Sequence, residues 1–183
     1  MIVIALLLVV KFPARAEDCE KARDIYQSTV KLSDLHKRVA GFQRAAELCP
    51  GFAEAHVNLA DAYEKLSATF QNDVARFNEL LNMAAAEYRE ALKHKRKMFS
   101  AYLGLGDTYR VMGLYDKSQD AYNKALQVKP DDPRALLGLN KIKVIKMHDV
   151  SGFQTSKPSS SISRDPPVER SWVTRWDLPT EPW

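Results

Sequence analysis

The chain has 183 residues, of which 45% are hydrophobic and 27% charged, with a formal net charge of +4. These fractions are those of an ordinary globular domain. Removing Lys11 and Arg15 with the first 16 residues lowers the basic count from 27 to 25 against 23 acids, leaving about +2. So balanced a charge argues against nucleic acid as a partner, and the one basic cluster, Lys93, His94, Lys95, Arg96 and Lys97, reads as the solvated end of a helix.

The first segment stands apart. Residues 2–10 form an unbroken apolar run, followed by Lys11, Pro13 and Ala14-Arg15-Ala16. An apolar core before a small-x-small site is the pattern of a signal peptide, here 1–16, with Glu17 as the mature N-terminus. Nine apolar residues are too few to span a bilayer, which takes about 20. A periplasmic or secreted location is expected, with no membrane insertion after cleavage.

Helical periodicity begins near residue 18. Ala22, Ile25, Tyr26 and Val30 share one face of a helix over about 18–31, and Ser33 is the expected N-cap of a second carrying Leu35, Val39, Phe42, Ala46 and Leu48. His56, Leu59, Ala60 and Tyr63 mark a third. Val74, Phe77, Leu81, Ala84, Tyr88 and Ala91 mark a fourth, with Asn72 or Asp73 as its cap. His56 is expected to be a core residue, not a metal ligand.

Residues 99–132 carry the most specific pattern in the chain: Tyr102, Leu105, Gly106, Tyr109, Gly113, Tyr115, Tyr122, Ala125 and Pro130. Large residues fill the gap between two helices, and Gly106 and Ala125 stand where they cross closely. Gly113 ends the first helix and Pro130 stops the second. This unit resembles the 34-residue tetratricopeptide repeat. The resemblance implies an all-α, tetratricopeptide-like α-solenoid of about three helix–turn–helix repeats plus a C-terminal capping helix, occupying residues 17–148.

Counted back on that template, repeat one is 19–52 and repeat two is 53–98. In repeat two the second-helix landmarks Tyr88 and Ala91 arrive 12 residues late. Shared between both helices, the insertion is expected to project them about 9 Å beyond their neighbours. The capping helix is 133–147, with Asp132 as N-cap and Pro133 at the first helical position. Leu137, Val144 and Met147 leave its outer side partly apolar. From residue 149 to 183 the composition is Ser/Pro-rich, as in a disordered tail, yet it holds all three tryptophans, Trp172, Trp176 and Trp183.

No catalytic, cofactor or metal constellation is found, and an enzyme is not expected. The four histidines are scattered, and Cys19 and Cys49 lack C-x-x-C spacing. In the hairpin that the resemblance implies, those cysteines lie at neighbouring helix ends, so they are a disulfide candidate, the alternative being two packed free thiols.

The resemblance also implies a concave binding face lined by the first helix of each repeat. Its candidate residues are Val57, Asn58, Asp61, Leu103, Asp107, Arg110, Leu137 and Lys141. Val57, Leu103 and Leu137 would form an apolar line between an acidic and a basic end. Relatives that grip C-terminal carboxylates use a basic and asparagine clamp. Here Arg23 and Asn58 fit it, but Gln27, Ser100 and Gly104 do not. The expected function is an exported adaptor or scaffold binding a peptide segment or protein partner, in envelope assembly. Two alternatives are a self-assembling, homo-oligomeric repeat protein and an accessory fragment of a larger envelope enzyme or peptidoglycan-binding protein.

Overall fold

The computed structural model describes residues 15–153. The expected leader up to residue 14, the tail from 154 and its tryptophans Trp172, Trp176 and Trp183 lie outside the described residues.

Those residues form seven α-helices and one 3-10 turn, with no strand among them. The helices are α1 Ala16–Val30, α2 Leu35–Leu48, α3 Ala53–Ser67, α4 Val74–His94, α5 Phe99–Val111, α6 Tyr115–Val128 and α7 Pro133–Phe153. Consecutive helices pair as hairpins, and each second helix also packs on the first helix of the next pair. Two layers result: α1, α3, α5 and α7 on one side, and α2, α4 and α6 on the other.

Three of the helices begin at a side-chain cap, and the elements depart from the sequence reading at three points. The cap of α2 is Asp34, not Ser33: its carboxylate accepts from the Lys37 N–H at 2.9 Å. A carboxylate there satisfies an orphan donor and also meets the positive end of the helix dipole. In α4, Asp73 accepts from the Arg76 N–H at 3.0 Å. The insertion in repeat two is shared unevenly. α4 has 21 residues against 14 in α6, whereas α3 has 15 and gains only the 3-10 turn Ala68–Phe70. The α7 helix is likewise longer than expected, 21 residues. Its Asp132 accepts from the Arg134 N–H at 3.1 Å. Lys129 and Arg134 beside it hold its carboxyl down to about 2.

The core is a chain of three clusters. Small residues, Ala22, Ala45, Ala46 and Ala55, join the first pair to α3. Leu59, Ala60, Leu80, Ala84, Tyr88 and Leu105 fill the centre, and Leu103, Tyr122, Ala125, Ala135 and Ile142 fill the C-terminal third. Tyr88 of α4 and Tyr122 of α6 occupy equivalent places, and both are fully buried. Each ring lies against a glycine of the other layer. A Cβ on Gly104 would stand 2.2 Å from Tyr88 Cζ, and one on Gly106 would stand 2.5 Å from Tyr122 Cδ1. Gly138 closes on the Tyr122 ring in the same way, so one aromatic ring is the packing unit between α5 and α7.

Cys19 and Cys49 are joined by a disulfide across the open end of the α1–α2 hairpin, with Cα atoms 4.8 Å apart. Close by, His56 is a buried structural residue. Its Nδ1 lies 2.7 Å from Glu87 Oε2 and its Nε2 lies 3.0 Å from the Pro50 carbonyl. Two acceptors call for two N–H donors, the imidazolium form. Burial alone would push the imidazole down, but the Glu87 carboxylate and the Pro50 carbonyl together raise it.

Candidate functional site on the concave face

The layer of α1, α3, α5 and α7 is stitched by side chains that cross from one helix to the next. Asn58 of α3 donates to the Tyr26 hydroxyl of α1 at 2.7 Å and to the Glu54 carbonyl at 3.0 Å. Thr108 of α5 reaches Glu64 of α3. Arg110 of α5 meets α7 around a groove lined by Arg110, Leu137, Asn140, Lys141, Val144 and Ile145. The five α7 positions recur at three- and four-residue intervals, one stripe of a helix.

The sequence-predicted residues divide. Val57 and Leu103 are not groove residues: they are 6% and 9% exposed and sit in the core. Val57 packs in the central cluster beside Tyr26, and Leu103 is covered by Ala135 and Ile142 of α7. The expected apolar line is therefore absent from the middle of the face. Leu137 is 54% exposed, and Val144 beside it likewise. Lys141 is exposed. Arg110 is partly exposed and contacts Asp107 at 3.4 Å, while its Nε–H is buried and unpaired. Asn58 and Asp61 are half-buried and already engaged.

The middle of the face holds a network that sequence reasoning missed. The Tyr88 hydroxyl passes beneath Gly104 and meets Asp61 Oδ1 and, at 3.0 Å, Glu64 Oε2. Thr108 Oγ1 touches Glu64 Oε1 and lies 2.9 Å from the Gly104 carbonyl. Four contacts thus share two hydroxyl hydrogens, and two carboxylates cannot supply more. Protonation of Glu64 adds a third hydrogen, which the Tyr88 or the Thr108 hydroxyl can accept. Burial, aided by the charges of Asp61 and Asp107, pushes Glu64 up to about 7 despite its two hydroxyl partners. The one signal in the sequence was Gly104, whose missing side chain makes room for the Tyr88 ring. The same ring explains the broken clamp: no arginine fits where Gly104 stands. Tyr122 repeats the arrangement one pair on, donating to Asp107 Oδ1 at 2.8 Å; burial and that carboxylate push its hydroxyl up to about 12.

The sign of the Glu64 effect is set by linkage. Its folded pKa of about 7 lies above the ordinary carboxylate value of 4.5, so stability falls as pH rises from 4.5 through 7, where the folded state must ionise a buried acid. Glu64→Gln keeps the donor without the ionisation. The expected outcome is a variant at least as stable as the wild type at pH 8, with a flatter dependence of Tm on pH between 5 and 8, measured by thermal melts.

Residues 99–132 match the family model of the tetratricopeptide repeat. The fold resembles the Arabidopsis OM64 TPR domain, at 18% identity and a TM-score of 0.60, covering 69% of this chain and 98% of that one. It also resembles the first TPR of Spaghetti (RPAP3) bound to the HSP90 peptide SRMEEVD, at 15% identity and a TM-score of 0.62, covering 74% and 98%. The TPR2B domain of yeast Sti1 in its pHsp70 complex matches at 15% identity and a TM-score of 0.54, covering 73% and 99%. No curated protein matches the chain. The class that the fold defines is thus the all-helical repeat solenoid. Its form is tetratricopeptide-like, and residues 99–132 match one repeat of that family.

Proposed function

We propose that this protein is an exported adaptor that holds a peptide segment of a partner protein at the C-terminal end of its concave face. The observation that carries the reading is the groove of Arg110, Leu137, Asn140, Lys141, Val144 and Ile145, about 490 Å³ in volume. It combines exposed apolar side chains with two cations and has no carboxylate among its lining residues. Apolar anchors flanked by acidic or backbone carbonyl groups suit it, in the helix- or strand-in-groove manner of peptide recognition. Two of the similar folds, the RPAP3 and Sti1 domains, are complexes with HSP90 and pHsp70 ligands. In this chain the acidic, internally satisfied middle of the face disfavours an acidic tail lying along its full length, which favours the α5–α7 end for the ligand.

Export is supported by the apolar run at residues 2–10, the Ala14-Arg15-Ala16 site and the Cys19–Cys49 disulfide, a bond that persists in oxidising compartments, and a role in envelope assembly is proposed with it. N-terminal sequencing of protein from the envelope is expected to begin at Glu17; an intact Met1 form confined to the cytosol overturns export.

Peptide-display selection tests the groove. Leu137→Asp combined with Lys141→Glu changes exposed positions, which normally shift stability by no more than about 0.5 kcal/mol. Peptides selected on the wild type should lose roughly 30-fold or more in affinity for the double variant, the effect of removing a hot spot of about 2 kcal/mol. Unchanged affinity with intact helicity places the site elsewhere.

A further inference from the structure

The groove that accepts a peptide is carried by the same helix from which the rest of the chain departs. Helix α7 ends at Phe153, and Ile145 and Leu137 lie 8 and 16 residues before it, about 12 and 24 Å back along the axis. Residues 154–171 follow, and 18 residues extended span up to about 60 Å. Next comes the segment 172–183, with Trp172, Trp176 and Trp183 and with Leu178 among them.

We propose that the segment 172–183 of this same chain occupies the α5–α7 groove, so that the chain's own tryptophan peptide is the first ligand of its concave face. This rests on the reading of that face as a peptide acceptor. Three observations select this occupant.

The groove is apolar and open. Leu137 and Val144 are each 54% exposed and Met147 beyond them is 62% exposed, whereas an end helix facing water should carry polar side chains. Tryptophan is the side chain with most apolar area to offer such a surface, on the order of 150–250 Å² for an aromatic.

Charge is complementary. Residues 133–147 include Arg134, Lys141, Lys143 and Lys146 and no acid, and the groove adds Arg110. The segment 172–183 carries Asp177 and Glu181 against a single base, Arg175. Lys146 is engaged with Asp116 at 2.7 Å and Arg110 with Asp107 at 3.4 Å, which leaves Lys141 as the available cation bordering the groove.

Reach and tethering complete the case. A segment attached this close meets the groove at an effective concentration of about millimolar. An affinity too weak to register between separate molecules therefore fills the site within one. A partner peptide must then displace the segment, and the Trp side chains set the threshold it has to exceed.

The full-length protein provides its own probe, since every Trp of the chain lies at or beyond residue 172. Its fluorescence is expected to lie to the blue of free Trp, with several-fold slower acrylamide quenching. Leu137→Asp and, separately, Val144→Asp should return both readouts to those of free Trp while far-ultraviolet dichroism stays unchanged. Trp172→Ala with Trp176→Ala should raise the affinity for peptides selected by display.

Solvated Trp emission in the wild type overturns the inference. So does blue emission indifferent to both α7 substitutions, which puts the segment elsewhere, and quench protection lost on dilution, which assigns the groove to a second copy. Solvated Trp together with display peptides that still depend on Leu137 sinks this inference alone. Display peptides indifferent to Leu137→Asp and Lys141→Glu sink the reading of the groove itself.

Discussion

Gly106→Leu should strongly destabilise the C-terminal part of the solenoid, although glycine-to-leucine within a helix improves local propensity. Propensity favours the change by somewhat under 1 kcal/mol. Against that, the first added carbon would already stand 2.5 Å from two atoms of the Tyr122 ring. The ring cannot retreat. It is fully buried, it is pressed from the other side by Gly138, and its hydroxyl is tied to Asp107 at 2.8 Å. The α5 and α6 backbones must separate instead, which also breaks the buried bond from the Ser118 hydroxyl to the Gly106 carbonyl at 2.5 Å. Overpacking costs typically 1–3 kcal/mol, and with a lost buried hydrogen bond the total should reach about 4 kcal/mol. Thermal melts should show Tm lower by on the order of 10 °C. Tyr122→Phe is the control: it keeps the ring and costs about 1 kcal/mol for the hydroxyl bond. Wild-type Tm in Gly106→Leu would mean that the α5–α6 crossing is looser than the structure places it.

Reducing the Cys19–Cys49 disulfide should release the first pair of helices. Within α1 only Ala22 and Thr29 are buried. The buried residues that join α1 and α2 to α3 are mainly alanines, with Ile25, Tyr26 and Leu48 only partly buried around them and Phe42 the one large fully buried side chain. So few large buried groups supply limited apolar burial. The disulfide compensates by limiting the unfolded chain. For a sequence separation of 30 residues, loop closure is worth roughly 3–4 kcal/mol in the chain-entropy account. Reduction, or the Cys19→Ser and Cys49→Ser pair, should lower Tm by on the order of 10 °C. It should also speed amide exchange in α1 and α2 well before α5 and α6 respond, because each repeat is stabilised mainly by its neighbours. Thiol titration of the unreduced, denatured protein should find no free thiol. Two titratable thiols would remove the premise, and uniform exchange through all seven helices would contradict the local stapling.

How much was legible in the sequence depended on the range of the interaction. The hairpin of α5 and α6 was readable because its landmarks, from Tyr102 to Pro130, lie within one 34-residue unit whose two helices touch each other first. Asp132 was readable as a cap, and Asp73 as one of two candidates with Asn72, because capping involves residues two or three apart. Asp34 was missed in favour of its neighbour Ser33, since either residue type can cap and only backbone geometry selects the position. The 12-residue insertion was readable as helix from its periodicity. Its placement mostly in α4 was not, because periodicity does not say where a turn interrupts.

The sequence by itself thus determined the helical repeats, their order and Gly106 as a point of close helix crossing. Only the tertiary structure decided which side chains remain available to a partner. Val57 and Leu103 occupy the repeat positions that face the groove, yet a neighbouring helix buries each of them, and that burial depends on how closely successive pairs stack. The proton-sharing set of Asp61, Glu64, Tyr88 and Thr108 is drawn from three helices and spans 48 residues of chain. No local pattern encodes it, because a buried acid becomes a hydrogen-bond donor only when packing removes its water and places hydroxyls against both of its oxygens.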